Sequence, residues 1–169
     1  MITINKRLIS QTTQPYIIAE LSANHNGSLE AALKLIEQAK ASGADAVKIQ
    51  TYTAETITLN SDRPEFTIKG GLWHERTLYD LYQEAHTPWS WHKELFDYAR
   101  TLDITMFSSP FDTTAVDLLE DLNAPAYKIA SFEAIDTPLI KYVAKTGKPM
   151  IISTGMADKE ESEEAIAAA

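Results

Sequence analysis

Cysteine is absent, which removes disulfides, thiolate metal sites and thiol nucleophiles together. A cysteine-free chain fits the cytoplasm, the compartment expected for this protein. Long apolar runs are absent as well. Nothing approaches the roughly 20 residues that cross a bilayer, so no membrane partner is expected. The opening MITINKRLISQTTQ is too polar for a secretory signal. Positive charge is scarce: 15 Lys and Arg face 24 Asp and Glu, a net charge of −9. That balance argues against nucleic acid or an acidic membrane as partner, although a few well-placed cations can still hold a small anion. Phosphate-cradling glycine loops are missing, since neither GxGxxG nor GxxxxGK[ST] occurs. His25, His74, His86 and His92 form no HxH or HExxH pattern, so the residues offer no metal site by spacing. Trp73, Trp89 and Trp91 have no basic patch beside them and read as packing or interface residues, not a stacking platform.

What remains is an ordinary globular composition, 44% hydrophobic and 23% charged over 169 residues, enough for one domain or part of a larger one. Ile2–Ile9 alternates weakly and reads as a strand or hairpin arm, which sets residues 1–14 apart. From Pro15 a rhythm begins. Short, mostly apolar runs at Tyr16–Glu20, Ala46–Thr51, Ile104–Ser108, Tyr127–Ala130 and Met150–Ser153 have the character of strands buried on both faces. Helical stripes follow them. Leu29–Ala41 aligns Leu29, Ala32, Leu33, Ile36 and Ala39, with Ser28 as its cap and Gly43 as its stop. Trp89–Leu102, Thr113–Leu122, Pro138–Thr146 and Asp158–Ala169 supply the others, and Asp112 is placed to cap the third.

Such alternation predicts a parallel sheet flanked by helices. An open doubly wound sheet and a (β/α)8 TIM barrel both fit. The polar residues favour the barrel. Glu20; Lys48, Gln50 and Thr51; Ser108 and Ser109; Lys128, Ser131 and Glu133; and Ser153 and Thr154 put chemistry at the end of every successive strand. An open sheet concentrates it at one switch point. The chain would then hold about the first five βα units. It stops at Ala165–Ala169 inside a helical pattern, so an N-terminal part of a longer protein is expected. Residues 52–88 interrupt the rhythm. They read as a lid or substrate-shaping insertion, or as a segment packed on the outside or on a partner subunit.

Lys48 and Lys128 lie inside strand patterns. A lysine in a buried strand is rare unless an anion accompanies it. Two of them, with hydroxyls from Ser109, Ser131 and Ser153, make an anion site. The alternative is that each lysine only pairs with Glu20 or Glu133. Those two carboxylates, beside cations, can do general acid or base work. Period 2 puts Gln50 on the face of Lys48. His25, in the turn-forming Asn24-His25-Asn26-Gly27, reads as a loop or substrate contact.

Ile18-Ala19-Glu20, Asn24-His25-Asn26-Gly27, Val47-Lys48-Ile49-Gln50-Thr51, Ser108-Ser109-Pro110-Phe111-Asp112, Ala126-Tyr127-Lys128-Ile129-Ala130-Ser131 and Ile152-Ser153-Thr154-Gly155-Met156 occur in that order. Together they resemble the sialic acid synthase family of nonulosonic acid synthases, and the insertion looks most like its pseudaminic acid branch. The resemblance implies a TIM barrel followed by a small antifreeze-like domain, working as a homodimer when full length. It implies condensation of phosphoenolpyruvate with an open-chain N-acetylated amino sugar, a 2,4-diacetamido-trideoxy hexose, to give pseudaminic acid and phosphate. By matching position, Lys48, Ser109, Lys128, Ser131 and Ser153 would hold phosphoenolpyruvate. Gln50, Glu133 and Asn24 would meet the sugar, and Glu20 would be an acid–base residue, giving Glu20, Lys48, Lys128 and Glu133 as the catalytic set. The family's divalent metal, Mn2+ or Mg2+, would take its ligands from outside this chain. A sialic or legionaminic acid synthase, another barrel aldolase or phospho-sugar synthase, and an inactive half-barrel fragment are the competing readings.

Overall fold

The computed structural model describes residues 1–169. A hairpin comes first, β1 (Ile2–Ile4) and β2 (Arg7–Ile9), with Ile2 opposite Ile9. Its two-residue turn, Asn5-Lys6, takes positive φ at both positions (44° and 69°), the twist that antiparallel neighbours require. Five parallel strands follow: β3 (Ile18–Glu20), β4 (Ala46–Thr51), β5 (Thr105–Pro110), β6 (Tyr127–Ile129) and β7 (Met150–Ile152). They lie in chain order, β3-β4-β5-β6-β7, as one curled sheet, a half-barrel of the TIM-barrel type.

Helices α1 (Leu29–Ala41), α4 (Trp89–Thr101), α5 (Thr113–Asp121), α6 (Thr137–Ala144) and α7 (Lys159–Ala168) supply the crossovers and the last outer helix. Their ends follow the sequence signals. Ser28 accepts from the Ala31 amide, Asp112 from Thr114 and Ala115, and Asp158 forms a capping box with Glu161. Gly43 takes φ +85° just past α1, where a side chain would be strained. Several strand and helix ends shift from the expected ones by one or two residues, and two of the strand shifts have a visible cause. The third parallel strand runs on to Pro110, because Gln50 and Thr51 pair with Ser109 and Pro110 in a full six-residue register. The first begins at Ile18, although the Ile17 carbonyl already accepts from Asp45 and Ala46.

Strand period 2 sorts the side chains into two layers. Outward, Val47, Ile49, Met106 and Ile129 pack with Ile36, Leu95, Val116, Leu119 and Ile140 of the helices. Inward, Ala46, Phe107 and Ala126 meet Ile4 of the hairpin, with Ile9, Tyr16, Ile18 and Ile151 around them. The hairpin therefore plugs the N-terminal end of the half-barrel. Burial of a ring such as Phe107 contributes about 2–3 kcal/mol there. Polar staples fix the plug: Arg7 pairs with Asp45, and Asn5 Nδ2 donates to Thr105 Oγ1 at 3.0 Å. An apolar cavity of about 710 Å³ lies at this end, against Ile4, Ile9, Tyr16, Ile18 and Ile151.

The insertion is locally folded. It contains α2 (Ala54–Ile57), a 3-10 turn at Pro64–Phe66, a single antiparallel bridge between Thr67 and Thr77, and α3 (Leu78–Ala85) capped by Thr77. No helix is long and apolar enough to cross a membrane.

Candidate active site

The inward face changes character along the strands. Apolar at the hairpin end, it becomes Glu20, Lys48, Gln50, Ser109, Lys128 and Ser153 at the opposite, C-terminal end. Pairing fixes their relative heights: Glu20 opposes Lys48, and Gln50 opposes Ser109. The curled sheet thus gathers these residues around one mouth.

Lys48 is the anchor. It is 3% exposed, and its Nζ lies 3.0 Å from Glu20 Oε2 and 3.2 Å from Ser109 Oγ, to which it donates. An amine buried in a low-dielectric strand needs such partners, and the carboxylate and hydroxyl supply them. Glu20 is half-exposed at its outer edge. Lys128 differs. It is half-buried and has no carboxylate within 4 Å, so the two lysines are not equivalent members of ion pairs. Burial first, then the neighbouring Lys48 charge, lowers the Lys128 pKa, while Glu20 and Glu133 oppose the shift. These four charges therefore act on one another across the mouth. One carboxylate, Glu20, is paired with Lys48, and none pairs with Lys128.

Glu133 sits on a 3-10 turn, Phe132–Ile135, beyond β6 rather than at a strand end. Its Oε2 is buried without a hydrogen-bond partner, and burial is the main cause that raises its pKa above the usual carboxylate value. Ser131 opens that turn. A Cβ added at Gly155 would stand 3.5 Å from Ser131 Oγ, so the loop after β7 comes close to it. Ser153 continues the β7 ladder, its amide donating to the Ile129 carbonyl at 3.0 Å. Asn24 gives one Nδ2 proton to the Leu21 carbonyl at 3.0 Å, which folds its own turn and leaves Oδ1 free. Nowhere do three His, Asp or Glu side chains converge to hold a cation.

His25 makes the loop contact expected of it, from a buried position. It is 1% exposed, packed edge-on against Trp91 at 5.3 Å, and its Nδ1 accepts from the Gly27 amide at 3.1 Å. Burial, and next the His86 charge, lower its pKa, and its ring supports the first βα loop from within. His92 carries a role that its sequence setting does not announce. Fully buried on α4, its Nε2 lies 2.9 Å from Thr51 Oγ1, which lies 2.6 Å from Ser108 Oγ; Ser108 Oγ donates to the Ile49 carbonyl at 3.1 Å. This chain backs the strand segment that carries Gln50 and Ser109. The available signal is Thr51 and Ser108 facing outward, opposite to Gln50 and Ser109 by period 2, toward a helix that must then supply a polar partner.

Burial depresses the His92 pKa from 6.5 to about 4. The unfolded chain thus binds the extra proton between those values, and stability falls as pH drops from 6.5 toward 4. The expected loss is about 3 kcal/mol over that window. Thermal unfolding followed from pH 7 to pH 4.5 should show a smaller decline in His92→Gln than in the parent chain; parallel curves would refute the assignment.

Residues 35–169 match the family model described as NeuB family. The chain belongs to the NeuB family. Among relatives, it is 56% identical over 146 residues to the pseudaminic acid synthase of Campylobacter jejuni, an alignment covering 86% of this chain and 43% of that protein. To the N,N'-diacetyllegionaminic acid synthase of the same species it is 41% identical, covering 89% of this chain and 45% of that protein. Its fold matches the N-acetylneuraminic acid (sialic acid) synthetase of Leptospira borgpetersenii, solved in complex with citrate, with a TM-score of 0.84 and 27% identity over 99% of this chain and 54% of that one. The chain thus spans less than half the length of the curated relatives it matches.

Proposed function

We propose that this NeuB-family chain carries the phosphoenolpyruvate half of a pseudaminic acid synthase site. The observation that bears most weight is the unequal pair of lysines: Lys48 fixed by Glu20 and Ser109, and Lys128 without a counterion beside it. The 56% identity to a pseudaminic acid synthase, against 41% to a legionaminic acid synthase, supports the choice of branch. The complete protein then joins phosphoenolpyruvate to an open-chain 2,4-diacetamido-trideoxy hexose in the cytoplasm.

In this reading Lys48, Ser109 and Lys128, with Ser131 and Ser153 at the rim, hold phosphate and carboxylate oxygens by charge-assisted hydrogen bonds. C3 of phosphoenolpyruvate forms a bond to the aldehyde carbon, and the aldehyde oxygen takes a proton. Water adds at C2 and loses a proton, and the C2–O bond breaks to release phosphate. Glu20 and Glu133 flank the centre where positive charge develops and where protons move. Gln50, inward beside Lys48, orients the sugar. The wider reading includes three further βα units, a C-terminal domain, a homodimer, and a Mn2+ or Mg2+ ion on ligands from outside this chain.

The test is phosphate release by the complete gene product. Phosphate and a nonulosonic acid should form in equal amounts when phosphoenolpyruvate, the diacetamido sugar and a divalent metal are all supplied. Absence of release with every 2-acetamido sugar tried would refute the synthase reading. Turnover of simple aldehydes in preference to amino sugars would favour a general barrel aldolase.

A further inference from the structure

A cavity of about 550 Å³ opens between the first βα loop and the insertion, with Asn24, Asn26, Tyr52, Trp73, Tyr82 and Glu84 among its walls. We propose that this cavity seats the end of the sugar remote from the aldehyde, with its second acetamido group and terminal methyl, and thereby selects the acceptor. The proposal rests on the synthase reading and deepens it.

Its position is the first argument. Asn24 follows Glu20 by four residues and Tyr52 follows Gln50 by two, so the cavity begins where the strand ends carrying the mouth leave the sheet. Tyr82 ties it to the other side. Its ring packs edge-on against Tyr52 at 5.6 Å, and Tyr52 packs against Phe111 at 5.4 Å, the residue that follows β5 two positions after Ser109.

Its chemistry is the second. The anion cradle is built from lysines and hydroxyls, whereas no Lys or Arg lines this cavity. Its one acid, Glu84, is paired with Arg76 at 2.7 Å. An anion would gain nothing here, but a neutral amide-bearing ligand would. Asn24 Oδ1 is unspent, and the Tyr82 hydroxyl and Trp73 indole N–H are free of partners within the chain. Two aromatic rings, Trp73 and Tyr82, offer apolar faces to a methyl and to sugar C–H groups, with Tyr52 packed behind them.

Its rigidity is the third. Tyr52 is 3% exposed and is held edge-on between Tyr82 at 5.6 Å and Phe111 at 5.4 Å. Trp73 is half-exposed on a turn that Gly70 and Gly71 make possible with φ of +85° and +75°. The Gly70 amide donates to His74 Nδ1 at 2.9 Å, and the Ile68 amide to the Arg76 carbonyl at 2.9 Å, so the turn is built rather than loose. A neutral, aromatic, pre-formed cavity of this size suits part of a small ligand.

The experiment compares the complete parent protein with Trp73→Ala and Tyr82→Phe, using the 2,4-diacetamido sugar and an analogue with a hydroxyl in place of the second acetamido group. In Trp73→Ala the KM for the diacetamido sugar should rise about tenfold or more, and preference over the analogue should fall about tenfold. The KM for phosphoenolpyruvate should stay within about twofold, because the cradle is separate. Tyr82→Phe should lose several-fold in the same preference. Active variants that keep the parent's preference, or that weaken both substrates alike, overturn the cavity assignment and leave the synthase reading intact. Calorimetric titration with the diacetamido sugar alone supplies the independent arm. Binding weakened about tenfold by Trp73→Ala supports the cavity even if no phosphate is released, whereas equal binding to parent and variant, or none to either, overturns it.

Discussion

Lys48→Met is expected to raise the KM for phosphoenolpyruvate about 100-fold or more while leaving the chain folded. Methionine keeps an apolar stem of similar length on the inward face and deletes only the ammonium. The two groups that face it, Glu20 Oε2 at 3.0 Å and Ser109 Oγ at 3.2 Å, remain. Glu20 is half-exposed, so water solvates the released carboxylate and the stability loss stays near about 1 kcal/mol. The activity loss is larger for two reasons. The cradle loses its deepest cation, and the freed Glu20 charge now repels the anion that the cation attracted. Lys128→Met should act in the same direction, with the double variant losing less than the product of the two if both lysines hold one phosphoryl group. Initial rates against phosphoenolpyruvate, with thermal unfolding as the folding control, decide it. A folded Lys48→Met protein with an unchanged KM would remove Lys48 from the site.

Most of this architecture is legible in the order of the residues, and the reason is physical. Parallel strands buried on both faces leave continuous apolar runs, and a lysine inside such a run needs an anionic reason to be there. Ala46–Thr51 meets both conditions and forms its strand with the expected ends. Caps at Ser28 and Asp112 and the stop at Gly43 are local chemistry, so they too can be read from a few residues. What the residue order hides depends on contacts between distant segments. His92 reads as one more residue of an amphipathic helix, and only the packing of α4 behind β4 and β5 brings it to Thr51, 41 positions away. His25 reads as a loop or substrate contact because Asn24, Asn26 and Gly27 surround it in sequence, and its burial is not visible there. It is buried because Trp91 and Thr87 come to it from the far end of the insertion. Tyr82 is one aromatic among several in a helical turn, and its edge-on packing against Tyr52, 30 positions away, is a property of the fold alone. The unequal states of Lys48 and Lys128 are likewise hidden: both read as buried strand lysines, but only one finds a carboxylate.

Glu133→Gln should stabilise the protein at neutral pH and at the same time lower kcat/KM by about two to four orders of magnitude, within the range that general acid–base groups supply. Burial raises the Glu133 pKa in the folded state, and its Oε2 has no donor to compensate the charge. The sign follows from linkage. Below the unfolded carboxylate value of about 4.3 both states are protonated and no penalty exists. As pH rises through that value toward the raised one, the unfolded chain releases its proton more readily than the folded chain, so stability declines. Glutamine keeps the shape and never ionises. Its melting temperature should therefore exceed the parent's at about pH 7–8 and converge with it near pH ~4, a pH-dependent gap that a loss of packing cannot imitate. The activity change has the opposite sign for the same reason. A carboxyl that stays protonated nearer to neutrality, with its oxygen turned to no internal partner, can give its proton to the aldehyde oxygen as the carbon–carbon bond forms. The parent's kcat/KM should then fall as pH rises through the raised Glu133 value, and that limb should be missing from the residual activity of Glu133→Gln. A variant that retains the limb would transfer the acid role to another group, with Glu20, half-exposed beside Lys48, the next residue to test.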